Sequence, residues 1–177
     1  MNIFYLDKDP KICSEYHNDK HIVKMPVEYV QMLCTAHRLL DGYLTFEISP
    51  KGRKIKRWIL QDSYYNNNLY KATHPNHPCT LWVRSNDLHY MFLFNLATEC
   101  FKEYTKRYNK IHKSEAVLQY LKYLPDNIIR DKEFQDPPQC MPEDCKFPGS
   151  TVEAYRNLYR ITKRSICTWK TQAPKWF

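Results

Sequence analysis

Residues Tyr16 to Glu28 read Tyr-His-Asn-Asp-Lys-His-Ile-Val-Lys-Met-Pro-Val-Glu, the densest run of proton-exchanging and nucleophilic groups in the chain. On a helix, spacings of three and four place His17, His21, Lys24 and Glu28 on one face with Lys20 beside them. Ile22, Val23, Val27, Val30 and Leu33 turn elsewhere. Two imidazoles, two ammonium groups and a carboxylate within three turns can supply acid, base and electrophile together. A solvated basic face has the same pattern, and it is the mix of types that favours chemistry. His17 and His21 also have the i, i+4 spacing of a zinc pair, with Asp19 nearby. Lys20 and Lys24 would repel a cation there, and Asp19 points about 200° away from His17 on a 3.6-residue turn. No metal ligand set is therefore expected, and Cys140 and Cys145 read as a chance pair.

A second cluster is His74-Pro75-Asn76-His77-Pro78, followed by Trp82 and Arg84. Prolines hold these histidines rigidly, and Arg84 with Trp82 and His77 can grip a phosphate or a base edge. A proline-stiffened turn whose histidines cap the next helix is the alternative. A third feature is the C-terminal stretch, where Arg156, Arg160, Lys163 and Arg164 precede Trp169, Trp176 and Phe177. Cations interleaved with indole rings suit nucleic acid, phosphates on the cations and bases on the rings. The same rings can instead tuck into the core and tie down the terminus.

The elements that must position these groups are helical. Asp9-Pro10 is a helix start, and an apolar pattern runs from Lys11 to Leu40, interrupted at Pro26, where a kink or break is expected. Tyr43 to Lys56 reads as a loop with at most a short extended piece, and Arg57 to Ala72 as a helix. Pro78 opens a short helix through Ser85, Asn86 or Ser85 caps a long one to Tyr108, and Ser114 caps another over Glu115 to Leu124. Pro125, Pro137, Pro138, Pro142 and Pro148 predict a long surface loop from Pro125 to Gly149. Ser150-Thr151-Val152-Glu153 is a capping box opening a last helix to Trp169. The sum is an all-α fold, a single compact helical domain over residues 1–177 with a long Pro-rich loop.

Composition narrows the function classes. Three glycines against 11 prolines leave no material for a Gly-rich phosphate loop or a dinucleotide fingerprint. A net charge of +8, from 27 Lys and Arg against 19 Asp and Glu, favours an anionic partner. Aromatic residues at 15% argue for a folded chain. Seven cysteines, an odd number in apolar contexts, read as free thiols in a reducing compartment. No apolar run approaches the roughly 18 residues of a membrane span, and the start lacks a signal-like pattern, so a soluble, non-secreted, intracellular protein is expected.

His17 on the first helix, Met25-Pro26, His77-Pro78-Cys79-Thr80-Leu81-Trp82, Glu99-Cys100-Phe101-Lys102 on a long helix and the closing Pro174-Lys175-Trp176 together carry a resemblance over most of the chain. In these places it resembles the small all-helical pyrimidine-dimer DNA glycosylases of the phage UV endonuclease (endonuclease V) type. In that family the amino terminus attacks C1′ of the damaged nucleotide to form a Schiff base, a Glu on the first helix assists, and arginines hold the kinked duplex. His17 falls on the family's active-site histidine, Lys24 on the position of its catalytic Glu, and Val23 and Val27 on neighbouring arginines. The resemblance implies two chemical solutions. Glu28, one turn beyond Lys24, supplies the carboxylate and Met1 or Asn2 the amine, although Asn2 is large for removal of Met1. Alternatively a desolvated Lys24 is the Schiff-base amine with Glu28 or Asp19 as its partner.

The function expected is a base-excision enzyme, an N-glycosylase with an AP-lyase step, acting on damaged or modified pyrimidines through His17, His21, Lys24, Glu28 and Asn2. Lys20, Arg84, His77, Trp82, Arg156, Arg160, Lys163 and Arg164 would contact DNA. The expected partner is double-stranded DNA, with no cofactor, no membrane and a monomeric chain. The resemblance implies a viral protein acting in the host cytoplasm. A non-catalytic nucleic-acid binder or inhibitor, and a base-modifying transferase on the same fold, are the competing classes.

Overall fold

A computed structural model describes residues 1–177. Its helices are α1 (Pro10–Tyr16), α2 (Asp19–Asp41), α3 (Ser63–Asn68), α4 (Pro78–Val83), α5 (Asp87–Tyr108), α6 (Leu118–Leu121) and α7 (Thr151–Ile161), and two strands, β1 (Tyr43–Ile48) and β2 (Lys54–Ile59), complete the list. The fold is thus mostly helical rather than purely all-α. The strands pair antiparallel, Tyr43 opposite Ile59 and Ile48 opposite Lys54. Gly52 makes the turn between them with a φ of 74°, which a side chain would strain. The helix expected over Arg57 to Ala72 is overturned here. Isoleucine, tyrosine, phenylalanine and tryptophan in both arms suit a pleated ribbon better than a helix, and only the six residues of α3 are helical beyond it.

Local signals set the helix starts. Asp9 accepts from the N–H groups of Lys11 and Ile12, Asn86 from that of His89, and Ser150 from that of Glu153. The expected break at Pro26 is corrected: Pro26 sits inside the 23-residue α2, and the chain breaks instead at His17-Asn18. His17 is extended and ends α1, and the Asn18 side chain accepts from His21 N–H to start α2. The missing Pro26 donor costs one bond, while burial of Ile22, Met25, Tyr29, Val30 and Leu33 holds the helix against the core. Arg107 secures the break from α5, donating to the carbonyls of His17 at 2.8 Å and Glu15 at 2.9 Å.

The core lies between α2 and α5, with α1 and α4 packed beside them. Through it threads the extended start of the chain, where Ile3, Phe4, Tyr5 and Leu6 are all buried. The Ser114-capped helix proves to be a 3-10 turn, Lys113–Val117, capped by His112 and followed by one turn of α6. Between α6 and α7 the only regular element is the 3-10 turn Glu143–Cys145. α7 stops at Ile161, short of Trp169, because the tail turns back across the α1–α2 junction. There Asp19 N–H donates to Thr168 O at 2.8 Å and Trp169 Nε1 to Tyr16 O at 3.1 Å. No helix is long and apolar enough to cross a membrane.

Candidate functional site

The buried start of the chain delivers the amino group of Met1 to α2. Its nitrogen lies 3.6 Å from Glu28 Oε2, with the Met1 side chain 4% and the Glu28 side chain 16% exposed. The other oxygen of Glu28 is 3.1 Å from Nζ of Lys24, whose side chain is 71% exposed. One carboxylate therefore bridges two primary amines, one at the edge of the core and one in solvent. His77 caps α4 nearby, and burial, then the positive charge of the Met1 amine, lower its pKa while Glu28 opposes them.

The segment behind the amine is pinned at several points. Tyr29 OH accepts from Phe4 N–H at 3.3 Å. Leu6 N–H donates to Cys13 Sγ at 3.3 Å, and that thiol donates to Phe4 O at 3.2 Å. Asn2 Nδ2 donates to Cys140 O at 2.9 Å.

The break at Asn18 takes His17 off the helix that carries His21, Lys24 and Glu28, and His21 turns its ring into the core. Lys24 and Glu28 come together; His17 and His21 do not join them. His17 is fully buried, with Nδ1 against Cys13 O and Nε2 against Tyr29 OH, both at 2.7 Å. A carbonyl only accepts, so Nδ1 carries the proton and Tyr29 OH donates to Nε2. Burial lowers the His17 pKa to about 4, which keeps that tautomer neutral. The direct catalytic role expected of His17 is corrected: it acts on the amine only through Tyr29 and the backbone of Phe4. His21 is buried too, 2.6 Å from Tyr159 OH and tilted over Phe4 with ring centroids 4.1 Å apart. Burial lowers its pKa to about 3, so it is not a proton donor at neutral pH. Asn2 spends its side chain on Cys140, and Asp19 accepts from Arg107 and Lys170, which removes it as a partner for Lys24. The exposure of Lys24 also overturns its reading as a desolvated amine.

Several expected DNA contacts are committed to the fold. Trp82 is buried, stacks on His89 at 4.2 Å and donates to Gln135 O. Arg156 donates to Leu6 O and pairs with Asp7 and Glu153; Arg160 donates to Trp176 O and pairs with Glu153. These three are corrected to structural roles. Arg84 donates to Pro75 O at 2.6 Å from a half-buried position. Lys20, Lys163 and Arg164 have no carboxylate within ion-pair reach. After burial and His17, the charges of Lys163 and Lys24 also lower the pKa of His21.

Two clefts, of 440 and 470 Å³, lie away from this site. The first is lined by His37, Asp41, Asp62, Tyr65 and Asp126, but Asp41 is occupied in capping the N–H groups of Asp126 and Asn127. Compared with family models, curated proteins and solved structures, the chain matches none. Two pairings escaped the sequence. The Arg107 clamp joins residues 90 positions apart, and the Cys79–Cys140 contact spans 61. Cys79 follows the His-Pro signal directly, which was the one available clue.

Proposed function

We propose that the chain is a DNA base-excision enzyme, an N-glycosylase with an associated lyase step on damaged or modified pyrimidines, working through a Schiff base. The observation that carries this reading is the primary amine of Met1 held 3.6 Å from the Glu28 carboxylate by a buried segment. Amines attack only when unprotonated, and Glu28 is the base in reach. With Lys24 solvated, Met1 is the preferred nucleophile.

In the step envisaged, the amine attacks C1′ and the C1′–N bond breaks, its electron pair leaving on the base, which takes a proton. Of the amine's two protons, one balances that taken by the base and the other passes to O4′ as the C1′–O4′ bond breaks, which opens the sugar and gives the imine. Water then returns the amine and leaves an abasic aldehyde. Alternatively, removal of a C2′ proton expels the 3′ phosphate by β-elimination. Glu28 shuttles these protons, while Lys20, Lys24, Lys163 and Arg164 face the phosphates.

The test is borohydride trapping on UV-irradiated, abasic and untreated duplexes, with the cross-linked peptide located by mass spectrometry. An adduct on Met1 supports the reading, and one on Lys24 moves the nucleophile to the other amine on Glu28. No adduct on any duplex, with salt-sensitive binding intact, refutes the imine mechanism in favour of a non-catalytic binder or a base-modifying transferase.

A further inference from the structure

Beside the amine stand His77, which the sequence suggested as a DNA contact, and two cysteines that the glycosylase reading leaves unused. His77 caps α4, Cys79 lies in its first turn, and Cys140 follows Pro137-Pro138 on the segment leading to α7. Their ligating atoms all lie within 4.8 Å of one another, and the two sulfurs are 3.7 Å apart. Two thiolates about 2.3 Å from one tetrahedral zinc stand about 3.8 Å apart. The sulfurs are thus already at the separation a shared ion imposes, whereas a disulfide of about 2.05 Å would require them to close by more than about 1.5 Å.

The scaffold behind Cys140 is fixed independently, since Asn2 holds Cys140 O and Tyr155 OH donates to Pro138 O at 3.0 Å. His77 Nδ1 accepts from Cys79 N–H at 3.2 Å, a cap that His77 gives up when it ligates, because a neutral imidazole has one free lone pair. Two sulfurs and an imidazole are a soft donor set that prefers zinc over magnesium or calcium.

We propose that His77, Cys79 and Cys140 bind one thiophilic divalent ion, zinc by preference, with solvent in the fourth position. Binding exchanges the remaining thiol protons for the metal, releasing them to solvent. The ion would tie the start of the chain, α4 and the segment before α7 together. This assignment is independent of the glycosylase reading, since its readout is the metal itself.

The experiment measures zinc in the reduced full-length chain by mass spectrometry, then replaces it with cobalt(II) and records the visible spectrum. One equivalent of metal and a thiolate-to-cobalt charge-transfer band with tetrahedral ligand-field bands are expected. Cys79→Ser, Cys140→Ser and His77→Asn, the last retaining a capping residue, should each weaken binding by more than the roughly 10–100-fold typical of losing an outer-shell partner. Cys167→Ser should leave the spectrum unchanged. Absence of the charge-transfer band in the reduced parent chain, or a band of undiminished intensity and cobalt affinity in Cys140→Ser, whose side chain is only half-buried, overturns the assignment.

Discussion

Replacing Tyr29 by phenylalanine removes one oxygen from the centre of the relay that leads from His17 to the chain start. In the parent, Tyr29 OH donates to His17 Nε2 at 2.7 Å and accepts from Phe4 N–H at 3.3 Å, with Tyr29 and His17 fully buried. Phenylalanine keeps the ring packing and orphans both groups. At roughly 1–3 kcal/mol for each buried unsatisfied group, the variant loses about 2–6 kcal/mol. For a domain of this size that lowers Tm by roughly 5–20 °C. The unpinned Phe4 backbone lies three residues from the amine, and a misplacement of about 1 Å costs a positioned reaction on the order of 100-fold. Thermal unfolding by circular dichroism and single-turnover trapping on an abasic duplex read the two effects separately. The expected result is a folded variant with reduced Tm, a trapping rate down on that order and unchanged DNA affinity. A Tm and a trapping rate both equal to the parent's would refute the relay.

Glu28→Gln should cut the trapping rate by on the order of 10²–10⁴, and because it leaves the buried Met1 amine without its counter-charge it should cost more than the roughly 1 kcal/mol at most of an exposed pair; a full rate in the folded variant would remove Glu28 from the chemistry. Burial lowers the pKa of His17, His21 and His37 to about 4, 3 and 4. The unfolded chain takes up these protons near pH 6.5 while the folded chain resists, so stability is full above about pH 6.5 and falls by about 2 kcal/mol per histidine by pH 5; urea midpoints at neutral and acid pH check this, and a flat profile contradicts it. Lys20→Ala, Lys163→Ala and Arg164→Ala should each reduce the slope of log affinity against log salt by about one without changing Tm, as measured by fluorescence anisotropy on duplex DNA. Arg107→Ala strips the buried partner from Glu103, 5% exposed and 2.8 Å away, leaving it only the exposed Lys106, and frees the carbonyls of His17 and Glu15, so it should cost about 3–5 kcal/mol in denaturant titrations; a loss under about 1 kcal/mol would show that Arg107 does not secure the α1–α2 break.

What was legible in the sequence was local. Asp9, Asn86 and Ser150 announce helices because a cap needs only its own side chain and the next three N–H groups. Asn18 offers the same signal, yet Pro26 is the louder one, and only the buried face of α2 shows why the helix runs through it. The hairpin was missed because β-propensity is a statement about neighbours, and Tyr43 meets Ile59 only across a turn. For the site, Lys24 and Glu28 pair as their spacing demands, while His17 looked reactive on a helical wheel and proved to be a core group satisfied on both nitrogens. Arg156 and Trp82 were read as nucleic-acid groups from their types; their partners, Leu6 O and Gln135 O, are distant in sequence and invisible without the fold.

The start of a chain is ordinarily its most mobile part, so an amine fixed there has to be stabilised by burial. Ordering each backbone residue costs about 1–2 kcal/mol, and burying a large apolar side chain returns about 1.5–3 kcal/mol. Ile3, Phe4 and Leu6 are such side chains, and Tyr5 packs edge-on against Phe92 with ring centroids 5.3 Å apart. The hydrogen bonds to Tyr29, Cys13 and Arg156 then choose one register for the segment, because a shift by one residue would orphan all of them. Buried groups that perform no chemistry themselves thereby set where the amine stands. On the proposed mechanism a flexible terminus would lose translational freedom at the moment of attack, whereas this one has lost it on folding, which is the source of the rate advantage in an intramolecular reaction. His21, neutral and tilted on Phe4, serves as packing for the same segment rather than as an acid, because an imidazolium buried there would be desolvated and would meet the charges of Lys24 and Lys163.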